Sequence, residues 1–247
     1  MLKIYKKIGE TPLECLKRLA RENPEYKNMK MTYAGRLDPM AEGELLVLVG
    51  KECKKKDKYL GLDKEYEFDV LFGMETDSLD ILGVPNKKIQ SLKDYNVTIH
   101  REKMERFLKN IKGRQTQKYP AFSSKTIGGK PMFELAKVGE LEGKEIPEKE
   151  IEIYEADFLK SYWIKGEDLK KDITDRILLV KGDFRQNKIL KEWKVVLKGR
   201  GDDRFLVSKM RIKCSSGTYI RVIAQTLGVF LDVPALTLRI NRLKVFT

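Results

Sequence analysis

An aspartate bracketed by glycines is the first place in this sequence where chemistry could be built. Asp38 lies in Tyr33-Ala-Gly-Arg-Leu-Asp38-Pro-Met-Ala-Glu-Gly43, just ahead of an apolar run. A loop of that kind can hold a carboxylate rigidly at the mouth of a cleft. The same residues also fit an Asp-Pro turn that closes a hairpin. Lys64-Glu65-Tyr66 opens a strand-like stretch. Its tyrosine could be a half-buried packing residue or a face for stacking a base. Gln117 to Lys125, followed by Gly129-Lys130, mixes basic and aromatic residues in a loop, as an ordinary solvated loop or an RNA-binding one would. Cys214-Ser-Ser-Gly-Thr-Tyr219-Ile-Arg221 reads as a turn opening a helix, with Arg221 on the first turn. A cation there opposes the helix dipole, so an anionic partner is expected beside it, unless the turn is a plain N-cap and Arg221 a surface residue.

The elements that must position these residues follow from periodicity and punctuation. Thr11-Pro12-Leu13-Glu14 has the form of a capping box with proline at the first helical position, and Leu13, Leu16, Leu19 and Ala20 give the helix its apolar stripe up to Asn23-Pro24. Residues 33–44 read as loop, Leu45–Val49 as a buried strand, Glu65–Phe72 as another strand and 73–86 as loop. Met104, Phe107, Leu108 and Ile111 are spaced for a helix that stops at Gly113. Residues 114–131 read as irregular, 133–138 as a short helix and 150–158 as a strand. The stretch 161–204 is net basic and the least regular, with a helix suggested by Leu169, Ile173, Ile177 and Val180. A strand over 205–214, a helix over 218–227 and a strand over 237–246 complete the chain. Strands and helices mix without a βαβ rhythm, which predicts an α+β fold.

Composition narrows the class of function. The chain has 247 residues, 41% of them hydrophobic, enough to bury a core. Lys plus Arg number 50 against 37 Asp plus Glu, and that surplus draws polyanions, nucleic acid above all. The single histidine, His100, excludes multi-histidine metal sites. Cys15, Cys53 and Cys214 form no C-x-x-C pair, so neither a disulfide framework nor a zinc site is expected. No apolar run is long enough for a membrane span, and the N-terminus lacks a signal core; a cytoplasmic location is expected.

Taken together and in order, the four stretches resemble the TruB-type tRNA pseudouridine synthases. The Gly35–Gly43 loop matches the family's Gly-x-Leu-Asp-Pro-x-Ala-x-Gly. Lys64–Tyr66 with Gly73–Asp80 matches its Lys-x-Tyr strand and Gly-x-x-Thr-Asp-x-x-Asp turn. Pro120–Lys130 is close to its Pro-x-x-Ser-x-x-Lys…Gly-Lys loop, and Cys214–Arg221 matches Cys-Ser-x-Gly-Thr-Tyr-Ile-Arg. The resemblance implies the pseudouridine synthase fold, with a mixed, largely antiparallel central sheet flanked by helices and loops. It implies one catalytic domain over 1–247 carrying a basic insertion at about 161–204. It implies isomerisation of uridine 55 in the tRNA T-loop after base flipping, with no cofactor and no metal. In that picture Asp38 is the catalytic carboxylate, attacking ribose or base or supporting a glycal route. Arg221 pairs with it and Tyr66 packs on the target base. Tyr219 and Leu238 line the pocket, and Lys54 lies nearby. Tyr33 stands where the family usually has histidine, and could substitute by stacking. The implied partner is the T-stem-loop of tRNA, bound by a monomer. The chain ends soon after Leu238, so the family's usual C-terminal RNA-binding domain is expected to be missing, and the basic insertion is expected to replace some of its RNA contacts. A non-catalytic tRNA chaperone and a synthase acting on rRNA are the competing expectations.

Overall fold

The computed structural model describes residues 1–92 and 97–247. In chain order the regular elements are β1 (Leu2–Lys6), α1 (Pro12–Glu22), β2 (Met31–Ala34), β3 (Ala41–Val49), α2 (Lys56–Leu60), β4 (Lys64–Phe72) and α3 (Val97–Asn110). There follow β5 (Gly113–Lys118), β6 (Thr126–Ile127), β7 (Lys130–Pro131), α4 (Met132–Val138) and β8 (Glu148–Lys165). The chain closes with α5 (Gly166–Leu178), α6 (Gln186–Val196), β9 (Arg204–Cys214), α7 (Ile220–Leu231) and β10 (Ala235–Val245). The central sheet runs β1-β3-β10-β4-β9-β8-β5, with β2 paired to β3. β3 and β10 are parallel and the other pairings antiparallel, which is the mixed, largely antiparallel sheet that the sequence predicts.

Two layers of helix cover the sheet, and strand alternation assigns each side chain to one of them. Phe68, Val70 and Phe72 of β4, with Met210 and Ile212 of β9, face Met104, Phe107 and Leu108 of α3 and Ile223, Ala224 and Leu227 of α7. Leu71 of β4 and Phe205 and Val207 of β9 face the opposite way, onto Leu169, Ile173 and Ile177 of α5 and Ile189 and Trp193 of α6. Helix α1 begins with the capping box expected of it. The Glu14 amide donates to the Thr11 hydroxyl at 3.2 Å, and the Thr11 amide donates to the Glu14 carboxylate at 2.7 Å.

The stretch 161–204, expected as a basic insertion, differs from expectation in its limits and its packing. Residues 161–165 continue β8 and Arg204 opens β9, so the irregular stretch resolves into a helical pair between two long antiparallel strands. Trp193 is buried and its indole N–H donates to the Ile81 carbonyl at 3.0 Å. Cutting the pair out would uncover one face of the sheet, so it is part of the core. β1, β2 and β5 also stand where a loop or no element was expected.

A register shift in β10 redirects the side chains of its second half. β10 follows β4 residue for residue until a shift between Thr237 and Arg239. An extra residue in a ladder reverses which face the later side chains take. Leu236 and Leu238 therefore face α5 and α6, whereas Ile240 and Arg242 face the α7 side.

Candidate active site

The loop that carries Asp38 has nearly all of its carbonyls occupied. The Arg242 guanidinium donates to the Gly35 and Arg36 carbonyls at 3.4 and 3.2 Å, and to that of Glu44 at 2.6 Å. The Ala41 amide donates to the Asp38 carbonyl at 3.0 Å, and the Gly9 amide to that of Pro39 at 2.8 Å. Arg176 of α5 reaches the Met40 carbonyl at 3.4 Å, and the Lys6 amine donates to the Ala41 carbonyl. Two glycines make this geometry possible. Gly35 takes a φ of 78°, which side chains resist. A Cβ on Gly43 would lie 2.2 Å from the Arg242 carbonyl oxygen, so the parallel approach of β10 to β3 needs glycine there. The result is a stiff frame holding Asp38 in one direction.

Arg221 meets that frame from the first turn of α7. Its Nε lies 2.8 Å from Asp38 Oδ2 and 3.7 Å from Asp80 Oδ2. The nearer contact is an ion pair outside hydrogen-bond geometry, because Nε finds no aligned acceptor. The terminal nitrogens donate to the Ser78 carbonyl at 2.7 Å and the Phe122 carbonyl at 3.1 Å. The Arg221 side chain is 3% exposed and that of Asp38 38%, so a ligand can reach the acid but not the guanidinium behind it. Burial works against the Arg221 cation, but the charges of Asp38 and Asp80 outweigh it and raise its pKa. Burial pushes the Asp80 carboxyl up, opposed by Arg221. Asp80 Oδ1 accepts from the Ser78 hydroxyl at 2.7 Å and the Leu82 amide at 3.0 Å.

These groups open onto a cavity of about 860 Å³. Tyr33, Asp38, Tyr66, Tyr219 and Arg221 all line it, so five of the seven residues singled out in the sequence converge on one space. Burial raises the Tyr66 phenol, and raises that of Tyr219 to about 12. Both rings are therefore neutral at physiological pH and can pack against a planar ligand. Tyr219 is fixed from behind: its amide donates to the Gln117 side chain at 2.7 Å, and its carbonyl accepts from the same side chain at 3.2 Å. Tyr33, on β2, lies under the Lys56 amine at 5.5 Å.

Two expectations need correction. Leu238 does not line the cavity. The β10 register shift turns it into the core beneath α5, where its carbonyl accepts from Arg176 at 2.6 Å, and Ile240 takes the place at the wall. Lys54 does not line it either, being exposed on the six-residue 3-10 helix Gly50–Lys55 between β3 and α2. Sequence reasoning passed over Asp80 although it ends the Gly73–Asp80 pattern, and passed over Lys64 although it opens the Lys-x-Tyr strand. Nothing in the sequence marked Arg242. Lys64 and Arg242 line the cavity, and burial lowers the Lys64 amine to about 8.

Comparison with known proteins points the same way as the geometry. Residues 22–174 match the family described as TruB family pseudouridylate synthase (N terminal domain). A tRNA pseudouridine synthase B of Borreliella burgdorferi (strain ZS7) is 31% identical over 246 residues, covering 99% of this chain and 68% of the relative. One from Endomicrobium trichonymphae is 30% identical over 249 residues, covering all of this chain and 85% of the relative. Among solved structures, a Cbf5-Nop10-Gar1 complex matches 98% of this chain with a TM-score of 0.55 at 16% identity. An H/ACA RNP bound to a substrate RNA containing 2'-deoxyuridine matches with a TM-score of 0.51 at 14% identity. The chain spans a little under half of those two chains, 47% and 45%, and at such identities the likeness is one of fold.

Proposed function

The chain belongs to the TruB family of pseudouridylate synthases and is a tRNA pseudouridine synthase by that descent, and we propose that it acts on uridine 55 of the T-loop through Asp38. The observation that carries this reading is the convergence of Asp38, Tyr66 and Arg221, from three distant stretches, on one cavity, with Arg221 2.8 Å behind the acid.

The reaction breaks the bond between N1 of uracil and C1' of ribose, turns the base, and joins C5 to C1'. The proton on C5 leaves and N1 gains one. Only a base outside the RNA stack can present these atoms to Asp38, so the nucleotide is flipped into the cavity. Tyr66, Leu37, Ile240 and Tyr219 supply apolar and aromatic walls that offset lost stacking. Asp38, the acid within reach, acts on the nucleoside, while Arg221 and the carbonyl-bound frame hold its direction. The neutral Tyr66 phenol packs beside the base. The surplus of basic side chains, including exposed Lys188, Lys191 and Lys194 of α6, binds the RNA backbone, with an affinity that falls as salt rises.

The test uses a T-stem-loop RNA carrying tritium at C5 of its uridine, since that hydrogen is lost as the new bond forms. The wild-type chain should release tritium. Asp38→Asn should abolish release while changing the dissociation constant for RNA by less than about 3-fold, a shift worth under 1 kcal/mol. Turnover near wild type in that variant would refute the role of Asp38.

A further inference from the structure

The loop between α5 and α6 reaches the cavity, and one side chain there has no part in the function described so far. Asp183, Phe184 and Arg185 line the same cavity as Asp38. Arg185 pairs with Asp77 through both terminal nitrogens, at 2.7 Å to Oδ2 and 3.2 Å to Oδ1. The face of its guanidinium lies over the Phe122 ring at 4.2 Å. A planar fork that both chelates a carboxylate and stacks on a ring is a job lysine cannot do.

The two residues it grips bear on Arg221. Asp77 directly precedes Ser78, whose carbonyl takes the 2.7 Å hydrogen bond from Arg221. Phe122 itself provides the second carbonyl, at 3.1 Å. Both acceptors that seat the Arg221 guanidinium thus belong to segments that Arg185 ties together: the turn after β4 and the loop after β5. The loop that presents Arg185 is itself braced. The Gln186 side chain donates to the Val180 and Gly182 carbonyls at 3.0 and 2.7 Å, and accepts from the Phe184 amide at 2.8 Å. Lys137 of α4 donates to the Asp183 carbonyl at 3.1 Å, tying this loop to α4, whose Met132 and Phe133 amides donate to the Lys125 and Ser123 carbonyls after Phe122. Arg185 has a left-handed backbone, φ 64° and ψ 22°, which glycine would adopt at less cost. The arginine there bears that cost while its side chain makes both contacts.

We infer that Arg185 is a positioning residue for the active site: contributed by the helical insertion, it clamps Asp77 and Phe122 and so fixes the two carbonyls that aim Arg221 at Asp38. The inference rests on the catalytic reading above. It gives the insertion a second task besides backbone contact, and it places that task in the chemical step rather than in RNA affinity.

The experiment uses the full chain and the tritiated stem-loop, reading the single-turnover rate at saturating RNA, the RNA dissociation constant and the thermal midpoint. Arg185→Gly removes the side chain and relaxes the backbone, and should slow the saturated rate by about 10- to 100-fold, the scale of a small misplacement at a reacting centre. Its dissociation constant should move by less than about 3-fold and its midpoint by only a few degrees. Arg185→Lys should not restore the rate. Asp77→Asn should reproduce the loss, and the double variant should be no slower than the slower single, because the two side chains act as one unit. Weaker RNA binding with an unchanged saturated rate would overturn the proposal in favour of a direct RNA contact. An unchanged rate, additive losses, or a loss that vanishes well below the melting midpoint would overturn it as well. Absence of tritium release from the wild-type chain would instead refute the catalytic reading, and the inference with it.

Discussion

Arg221→Met removes the guanidinium that faces both Asp38 and Asp80, and it should unbalance the fold as well as the chemistry. Two carbonyls, of Ser78 and Phe122, lose their donor, at a cost of about 1 kcal/mol each. The larger effect falls on Asp80, which is 5% exposed and would be left without its counter-charge. Removing one partner of a buried pair costs about 3–5 kcal/mol, and these contributions overlap rather than add. The expected loss is therefore about 3–5 kcal/mol, a melting midpoint lower by roughly 10 °C in a chain of this size. The pH dependence gives the argument its sharper edge. Burial already holds the Asp80 carboxyl above the ordinary aspartate value, against the pull of Arg221, and without Arg221 it rises further. A carboxyl raised in the folded state favours folding where it is protonated, so the variant's deficit should shrink as the pH is lowered. Asp80→Asn keeps the oxygen that accepts from Ser78 and Leu82 but carries no charge. In the Arg221→Met background it should restore about 2 kcal/mol at neutral pH, although in the wild-type background it costs about 1–2 kcal/mol. Urea unfolding of the four proteins at two pH values measures this directly. Additive losses that do not change with pH would show that Asp80 does not depend on Arg221, and the electrostatic account of the site would fail.

Two further outcomes rest on the same geometry. Burial lowers the amines of Lys6 and Lys64 to about 8 from 10.5, with Asp38 pulling Lys6 the other way and Arg242 reinforcing the effect on Lys64. From pH 8 towards about 10 the unfolded chain keeps lysine protons that the folded one has released, whereas the buried Cys15 and Cys214 thiols, pushed up to about 11 and about 12, act in the opposite sense, so the lysine contribution is read as a difference: Lys64→Met should lose stability relative to wild type as pH rises from 8 towards about 10. A difference between the two proteins that does not change with pH would contradict it. Trp193→Ala should cost about 3–5 kcal/mol in urea unfolding, because the indole fills the core under Ile81 and donates to its carbonyl. A loss below about 1 kcal/mol would mean that the α5–α6 pair is a surface appendage rather than part of the core.

Much of the architecture was legible because it rests on local signals. The capping box of α1, the Met104–Ile111 spacing of α3 and the apolar run of β3 each announce an element within a dozen residues. What escaped lacked such signals. β5 is Gly-Arg-Gln-Thr-Gln-Lys, a polar edge strand whose partner residues in β8 lie 30 to 40 positions further on. Lysines surround the apolar stripe of α6, so Ile189 and Trp193 show their common face only once the sheet is in place. The site divides in the same way. Asp38, Tyr66 and Arg221 lie in patterned stretches and can be picked out one by one. The family resemblance puts Leu238 at the wall, and the shift in β10 turns it away into the core. No local feature of the final strand announces that shift. Arg242 was invisible for the opposite reason: an arginine in a strand is ordinary until β10 pairs in parallel with β3 and carries it under the Asp38 loop.

The charge on this protein is of two kinds. Among the described residues five cations are buried, Lys6, Lys64, Arg176, Arg221 and Arg242, against two buried aspartates, Asp69 and Asp80. Isolated buried cations are costly, and carboxylates do not fully compensate these. Backbone carbonyls do much of it instead: those of Gly35, Arg36 and Glu44 for Arg242, Met40 and Leu238 for Arg176, Ala41 and Lys7 for Lys6, and Leu60 and Leu62 for Lys64. Carbonyls in that number cannot be gathered from a mobile loop, so the positive charge and the stiffness of the Asp38 frame have a common origin. The compensation is also incomplete, since a carbonyl dipole carries no net charge. The ground beneath and beside the cavity stays electropositive in a region of low dielectric, where a field acts more strongly than at the surface. A neutral nucleoside would gain little from that field. A nucleotide within a phosphodiester chain gains from it at every approach, which is why the same buried cations that hold the acid still also favour RNA as the molecule that reaches it.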